Sequence, residues 1–329
     1  MLGAVIVLAV VLFYTLQKYV VTTADGVSLD LPFLSDDGSA GEPDSTVRTT
    51  PKAELVIDEP DYENIETGAG ENIEQLRALF VGQADISADG LAAAAEAAES
   101  MGASALVLDM KPAGGLLSWN SYSATAASYG TAGSSSLTEP IAALKDGGFY
   151  LAAQISVCAD DLIVSRNPNA VLTTPDGATV FDSAGGRLDP YNGFVRTYIL
   201  ELLTELDAMG FDEVILTNLS MPAAEYIYSQ EMAYEADAET AILSFSNWLI
   251  KNTGGLELTL SAVLDGSGSG QNEKNFFMMF DRVCYPCASG EVETKRAAAQ
   301  AAMTSGDAGA RFVPISASAP ESGSWIVKS

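Results

Sequence analysis

Histidine is absent from this 329-residue sequence, cysteine occurs three times, and bases are scarce, with 16 Lys+Arg against 44 Asp+Glu. Without histidine there is no Ser-His-Asp or Cys-His nucleophile, no His-ligated haem and no zinc site of the Cys₂His₂ or His₃ kind. Three cysteines cannot build a Cys₄ site. A formal net charge of -28 argues against a nucleic-acid partner, because counterion release needs clustered Lys and Arg facing the phosphates. Cofactor motifs are missing as well. No Walker-type Gly-Lys-Ser/Thr occurs, and the run Gly266-Ser267-Gly268-Ser269-Gly270 lacks the glycine spacing of a dinucleotide fingerprint, so it reads as a flexible loop. The sequence specifies no cofactor and no metal site. What is plentiful is apolar: 48% hydrophobic residues supply a large core, and the length allows one or two domains.

Three segments differ in texture. Residues 1–21 hold an almost unbroken apolar stretch from Leu2 to Val21, interrupted by Gly3, Thr15, Gln17 and Lys18. About 20 such residues span a bilayer as a helix, and Lys18 lies near enough to one end to snorkel. A cleaved signal peptide is the rival reading, although Thr22-Thr23-Ala24 is a poor cleavage site and no basic region precedes Leu2. Residues 22–75 hold 14 acids and two bases, a net charge of -12, with Phe33 and Tyr62 as the only aromatics. Such a composition predicts a disordered, self-repelling acidic linker. It has no alternating ligands and turn glycine of a calcium loop. From residue 76 to 329, short apolar runs alternate with helical patterns.

Strands are expected at Leu76 to Val81, Ala105 to Met110, Phe149 to Ser156, Glu213 to Thr217, Leu256 to Val263, Arg282 to Tyr285, Phe312 to Ser316 and Trp325 to Val327. Helices are expected at Gly90 to Met101, near Pro140 to Lys145, at Gly193 to Met209 and at Thr240 to Asn252. Eight strands alternating with helices over about 250 residues predict an α/β fold, a (β/α)₈ TIM barrel, with an open doubly wound sheet as the alternative.

In such a barrel the chemistry lies at the carboxyl ends of the strands. Strand two ends Asp109-Met110-Lys111, strand four ends Thr217-Asn218 with no acid before Glu225, strand five leads to Asp265, and strand six ends Cys284-Tyr285-Pro286-Cys287. Asp189-Pro190-Tyr191-Asn192 precedes a helix. Each has a plainer reading: Asp109 and Lys111 as an ion pair at the rim, Asp189 as a helix cap, and Cys284 and Cys287 as a local disulfide or two packed thiols. Aromatic rings suit sugar faces, which draws attention to Trp119, Tyr191, Tyr285 and Trp325, and the Ser/Gly/Tyr-rich excursion 112–136 reads as a lid or platform over the cleft.

The ordered set Val107-Leu108-Asp109-Met110-Lys111, Leu188-Asp189-Pro190-Tyr191-Asn192, Gly210-Phe211-Asp212-Glu213-Val214 and Tyr285-Pro286 resembles a bacterial family of glycosyl-hydrolase-like barrel domains, similar in outline to alpha-amylase-type (β/α)₈ glycosidases. The resemblance implies a carbohydrate-active barrel, secreted or tethered outside the cell. Where the family carries Asp-Tyr-Val-Arg-Phe-Pro after strand four, this sequence reads Thr217-Asn218-Leu219-Ser220-Met221-Pro222, so the family's acid is replaced by Thr217 and its arginine by Ser220. Glycoside hydrolysis needs two carboxyl groups. The candidates are Asp109, Asp265, Asp189 and Glu225, with Lys111, Trp119, Tyr191, Asn218, Tyr285 and Trp325 as substrate contacts. The expectation is a glycoside hydrolase-like domain acting on an extracellular or cell-envelope polysaccharide, held in the membrane by the N-terminal helix with the barrel outside. The alternative is a pseudoenzyme that binds glycan or an envelope protein without turnover.

Overall fold

The computed structural model describes residues 20–23, 26–29, 73–222, 229, 237–266 and 268–328. The chain divides into two units, Met1–Ile57 and Asp58–Ser329. In the first, β1 (Val20–Thr23) and β2 (Gly26–Leu29) pair antiparallel from Val20↔Leu29 to Thr23↔Gly26. These strands straddle the expected boundary at residue 21 between the apolar stretch and the acidic linker, and their β-branched Val and Thr favour the extended state. The remainder of both segments, up to residue 72, lies outside the described residues. No helix among the described residues is long and apolar enough to cross a membrane.

The second unit is built on eight parallel strands: β3 (Arg77–Val81), β4 (Ala105–Lys111), β5 (Tyr150–Ser156), β8 (Glu213–Thr217), β9 (Thr259–Val263), β10 (Arg282–Pro286), β11 (Phe312–Ser316) and β12 (Trp325–Val327). They close in the order β10-β11-β12-β3-β4-β5-β8-β9, which excludes the open sheet. A two-residue hairpin, β6 (Phe181–Asp182) with β7 (Gly185–Gly186), lies between β5 and β8. The expected helices form as α1 (Ala88–Ser100), α3 (Thr138–Asp146), α5 (Gly193–Ala208) and α6 (Ala238–Thr253). Five further helices are α2 (Ala124–Tyr129), α4 (Asp161–Arg166), α7 (Glu273–Met279), α8 (Val292–Ala302) and α9 (Ala308–Arg311). Caps mark several starts: Ser87 accepts from Gly90 N–H before α1, and Asn192 accepts from Phe194 and Val195 N–H before α5, satisfying donors that a helix leaves unpaired.

Alternation along the strands separates two cores. Ala105, Val107, Ala152, Ile215, Cys284 and Val313 fill the barrel interior, whereas Leu106, Leu108, Leu151, Val214 and Val283 pack outward against the helices. The amino-terminal end of the interior is filled by charge. Arg282 Nη1 stands 2.5 Å from Glu213 Oε2, Ser261 Oγ donates to Glu213 Oε1, and Arg282 Nη2 donates to Glu74 O at 2.9 Å. The guanidinium carbon lies 5.7 Å from the centre of the Tyr150 ring. Burial pushes the Glu213 carboxyl up, while Arg282, Ser261 and Tyr150 pull it back.

The excursion 112–136 leaves the carboxyl ends of β3 and β4, where Gln83 Nε2 donates to Leu116 O at 2.7 Å and Ser118 Oγ to Asp109 O at 2.8 Å, and then runs to α5. Trp119 Nε1 donates to Glu205 Oε2 at 2.6 Å, Ser121 Oγ to Glu205 Oε1 at 2.9 Å and Ser123 Oγ to Glu201 Oε2 at 2.5 Å. Both glutamates sit in the second half of α5, which runs back toward the barrel floor. Residues 119–123 are therefore bolted to the outer helical layer. The Trp119 indole needs a buried acceptor, and Glu205 provides it.

Removing one member of a buried pair leaves an uncompensated charge, at a cost of about 3–5 kcal/mol. Arg282→Met is expected to lose stability on that scale in urea unfolding, and Glu213→Gln/Arg282→Met to recover most of it. A neutral Arg282→Met would show that the floor pair does not support closure.

Candidate functional site

Strand parity decides what faces the barrel opening. Continuing the inward alternation to each carboxyl end reaches Phe80 on β3, Asp109 on β4, Gln154 on β5, Thr217 on β8, Val263 on β9, Pro286 on β10, Ile315 on β11 and, one residue past β12, Lys328. Phe80, Asp109, Gln154, Thr217 and Ile315 are half-buried and Lys328 is exposed. The register places Asp109 opposite Gln154 and runs Val327↔Leu79 between β12 and β3, so Lys328 continues beside Phe80. The Lys328 ammonium lies 4.0 Å from the centre of the Phe80 ring, within range of a cation–π contact. Lys328, Phe80, Asp109 and Gln154 therefore form an arc across four consecutive strands.

Asp109 is the expected catalytic residue that the fold sets in this opening. Its Oδ1 is buried with no hydrogen-bond partner, and its carbonyl accepts from Ser118 Oγ at 2.8 Å. Burial raises its pKa above the ordinary carboxylate range, and Lys328, Gln154 and Lys111 act in the opposite direction. Asp265 follows β9 and is exposed. Asn218 is half-buried at the end of β8, held at φ 52°, a left-handed conformation that asparagine tolerates better than most residues. Its Nδ2 donates to Ser156 Oγ at 2.9 Å, and Thr217 Oγ1 donates to Ile155 O at 3.2 Å. Tyr191 is half-buried, 6.0 Å below the Arg196 guanidinium. Glu225 lies outside the described residues.

Five expected site residues are committed elsewhere. Lys111 is fully buried and pairs with Asp160, not Asp109: its Nζ is 2.9 Å from Asp160 Oδ2 and donates to Ser156 O at 2.8 Å. An irregularity in β4–β5 pairing between Asp109 and Lys111 turns the lysine toward the β5–α4 connection, where Asp160 also caps α4 through Ile163 N–H. Gly115 passes so close that a Cβ there would stand 2.1 Å from Asp160 Oδ1, with φ at +88°; only glycine suits both conditions. Asp189 is fully buried, accepting from Tyr191 N–H at 2.9 Å and from Ser229 Oγ at 2.5 Å. It organises the turn before α5, and Asn192, not Asp189, is the cap. Tyr285 and Trp325 have outward parity. Tyr285 donates to Glu273 Oε1 at 2.7 Å and stacks with Phe277, while Trp325 is buried in the outer core at the amino-terminal start of β12. Trp119 is buried against α5.

All three cysteines are free. Cys284 points into the interior and Cys287 lies against the outer core, opposite faces that a disulfide cannot bridge. Burial raises the Cys158 thiol to about 11. Among the described residues no group of three or more Cys, Asp or Glu side chains could hold a metal ion. A groove of about 490 Å³ between α1 and α3, lined by Leu91, Leu144 and Phe149, belongs to the outer layer and not to the opening.

Phe80, Gln154 and Lys328 escaped sequence reasoning, which chose aromatics by type. The signal was present: each has inward parity at or just beyond a strand end that the pattern located.

With the barrel and its opening defined, relatives can be placed. Residues 78–262 match a family described as "Putative glycosyl hydrolase domain", more than half of the sequence. This chain belongs to that family. It is a glycoside hydrolase-like domain, as the motifs around Asp109, Asp189 and Glu213 led us to expect. No curated protein matches it. Among solved structures, it is similar to a hypothetical protein from Ruminiclostridium thermocellum, 19% identical, with a TM-score of 0.50, over 55% of this chain and 96% of that one. It is also similar to a GH20 exo-β-N-acetylglucosaminidase from Vibrio harveyi in complex with N-acetylglucosamine, 10% identical, with a TM-score of 0.51, over 74% of this chain. The chain spans 41% of that enzyme's length. At these identities the likeness is one of fold.

A carboxyl whose folded pKa is raised stabilises the fold below its unfolded value, about 3.9 for Asp, and loses that contribution as pH rises through the folded value. Asp109→Asn is therefore expected to raise Tm at pH 8 by about 1–2 °C, small because the site is half-exposed and screened. The gain should shrink as pH falls through the raised folded value. A variant less stable than the parent at pH 8 would contradict a costly carboxylate at this position.

Proposed function

We propose that the barrel opening binds a polysaccharide and that Asp109 is the acid that acts on it. One observation carries this reading: of the described candidate carboxyls, Asp109 alone combines a place in the opening with a pKa raised by burial, the direction a general acid needs. In this role Asp109 gives its proton to the glycosidic oxygen. Asp265, exposed past the end of β9, supplies the second carboxyl that hydrolysis needs, as the base that activates water or as the nucleophile. Asn218 and Tyr191 supply polar and ring contacts to the sugar.

A second reading has its own support. The strand-four rim presents the hydroxyl of Thr217, itself donating to Ile155 O, where the resembling family carries its acid, and this favours glycan binding without turnover. For cellular setting, the apolar stretch 2–21 and the acidic composition of 22–75 support a domain plan of membrane anchor, linker and barrel from 76 onward. The barrel then lies outside the cell, facing an extracellular or envelope polysaccharide.

Glycan-array binding of the intact chain, followed by reducing-end assays on each hit, tests the proposal. Asp109→Asn should lower release by about 10²–10⁴-fold and leave binding within tenfold. Equal release by parent and variant would remove Asp109 from the mechanism. Binding with no release by the parent would establish the second reading.

A further inference from the structure

Asp109 carries an acid's role only if something holds its carboxyl within reach of ionisation, and among the described residues of the opening Lys328 is the cation placed for this. From β3 the neighbour is Phe80, an apolar ring. From β5 it is Gln154, an uncharged amide. From β4 itself it is Lys111, whose ammonium is already bound to Asp160 and Ser156 O. The remaining neighbour is Lys328, reaching in from the end of β12. Among the described residues no carboxylate stands within 4.0 Å of its ammonium. That is notable in a chain where acids outnumber bases 44 to 16. In place of a salt bridge it rests on the Phe80 ring at 4.0 Å. Phe80 lies on the strand between β12 and β4, so the ring acts as a shelf that directs the ammonium toward the β4 side of the opening.

We propose that Lys328 is the positioning residue for Asp109: seated on Phe80, its ammonium supplies the main positive field on the half-buried carboxyl, Lys111 being committed to Asp160. This deepens the reading of Asp109 as the acting acid and rests on it. The arrangement leaves the Asp109 carboxyl free of a direct salt bridge, and a field acting over several ångströms at a half-buried site is moderate in strength. The position also has a consequence for ligands. The ammonium covers the face of Phe80 on which a sugar ring would stack, so a saccharide using that ring must first displace Lys328 and thereby alter the field on Asp109.

The test is direct titration of the Asp109 carboxyl by ¹³Cγ NMR in the intact chain, the resonance assigned by its loss in Asp109→Asn. Lys328→Met should raise the Asp109 midpoint by about half a unit, a roughly threefold weaker acid, and Lys328→Arg should restore the parent value. Lys295→Met, which removes a surface ammonium paired with Glu291 on another face, should leave the midpoint unmoved. An unchanged or lowered midpoint in Lys328→Met, failure of arginine to restore it, or an equal shift in Lys295→Met would each overturn the assignment. The titration needs no saccharide. If no glycan is ever cleaved but the midpoint moves as expected, the hydrolytic reading fails and the role of Lys328 stands. If release depends on Asp109 and its pH profile ignores Lys328, the reverse holds.

Discussion

Closure of a parallel barrel fixes the inside and outside of every strand at once. Each strand is hydrogen-bonded on both edges, so a one-residue slip would exchange the small interior set for the bulky outer set around the whole ring. The interior is narrow and takes Ala105, Val107, Ala152 and Ile215, while the outer layer takes leucines and aromatic rings. That parity also selects the side chains at the opening. Asp109 faces the opening because Ala105 and Val107 face the interior.

The buried charges follow from the same closure. A chain with few bases spends most of those described on its own architecture: Arg282 with Glu213 at the floor, Lys111 with Asp160 under the β5–α4 connection, and Arg187 against Ser220 and Asp182. Arg311 donates to the carbonyls of Phe277, Phe280, Asp281 and Ser305. Glu205 is likewise taken by Trp119 and Ser121. These side chains are committed to partners within the fold, and the basic groups among them are buried. The half-buried carboxyl of Asp109, with one oxygen unpartnered, and the exposed ammonium of Lys328 are of a different kind, and they face the same opening.

Much of the fold was legible in the sequence, because strands and helices announce themselves locally. Glu213–Thr217, Phe312–Ser316 and Trp325–Val327 stand where the apolar runs placed them, and Gly210 separates α5 from β8 as the pattern required. The site was only half legible. Asp109 could be found because a strand-end acid follows from composition and position. The partners of Lys111, Asp189, Trp119, Tyr285 and Trp325 were not legible because they are distant in sequence or set by parity: Asp160, Ser229, Glu205 and the outer core. Residue type suggested aromatic sugar platforms, and packing took those rings into the outer layer. Gln154 and Lys328 needed the register of neighbouring strands before they could be joined to Asp109.

The central claim is that ligand meets this domain at the carboxyl end of the barrel, over Asp109. Carbodiimide labelling of carboxyl groups, read by mass spectrometry with and without a bound saccharide, tests it most directly. Asp109 is predicted to label in the free protein and to be protected by ligand, with Asp189, Glu205 and Glu213 unlabelled in both states. A bound saccharide that leaves Asp109 labelling unchanged while protecting carboxyls elsewhere, such as Glu139 beside the groove between α1 and α3, would contradict the account.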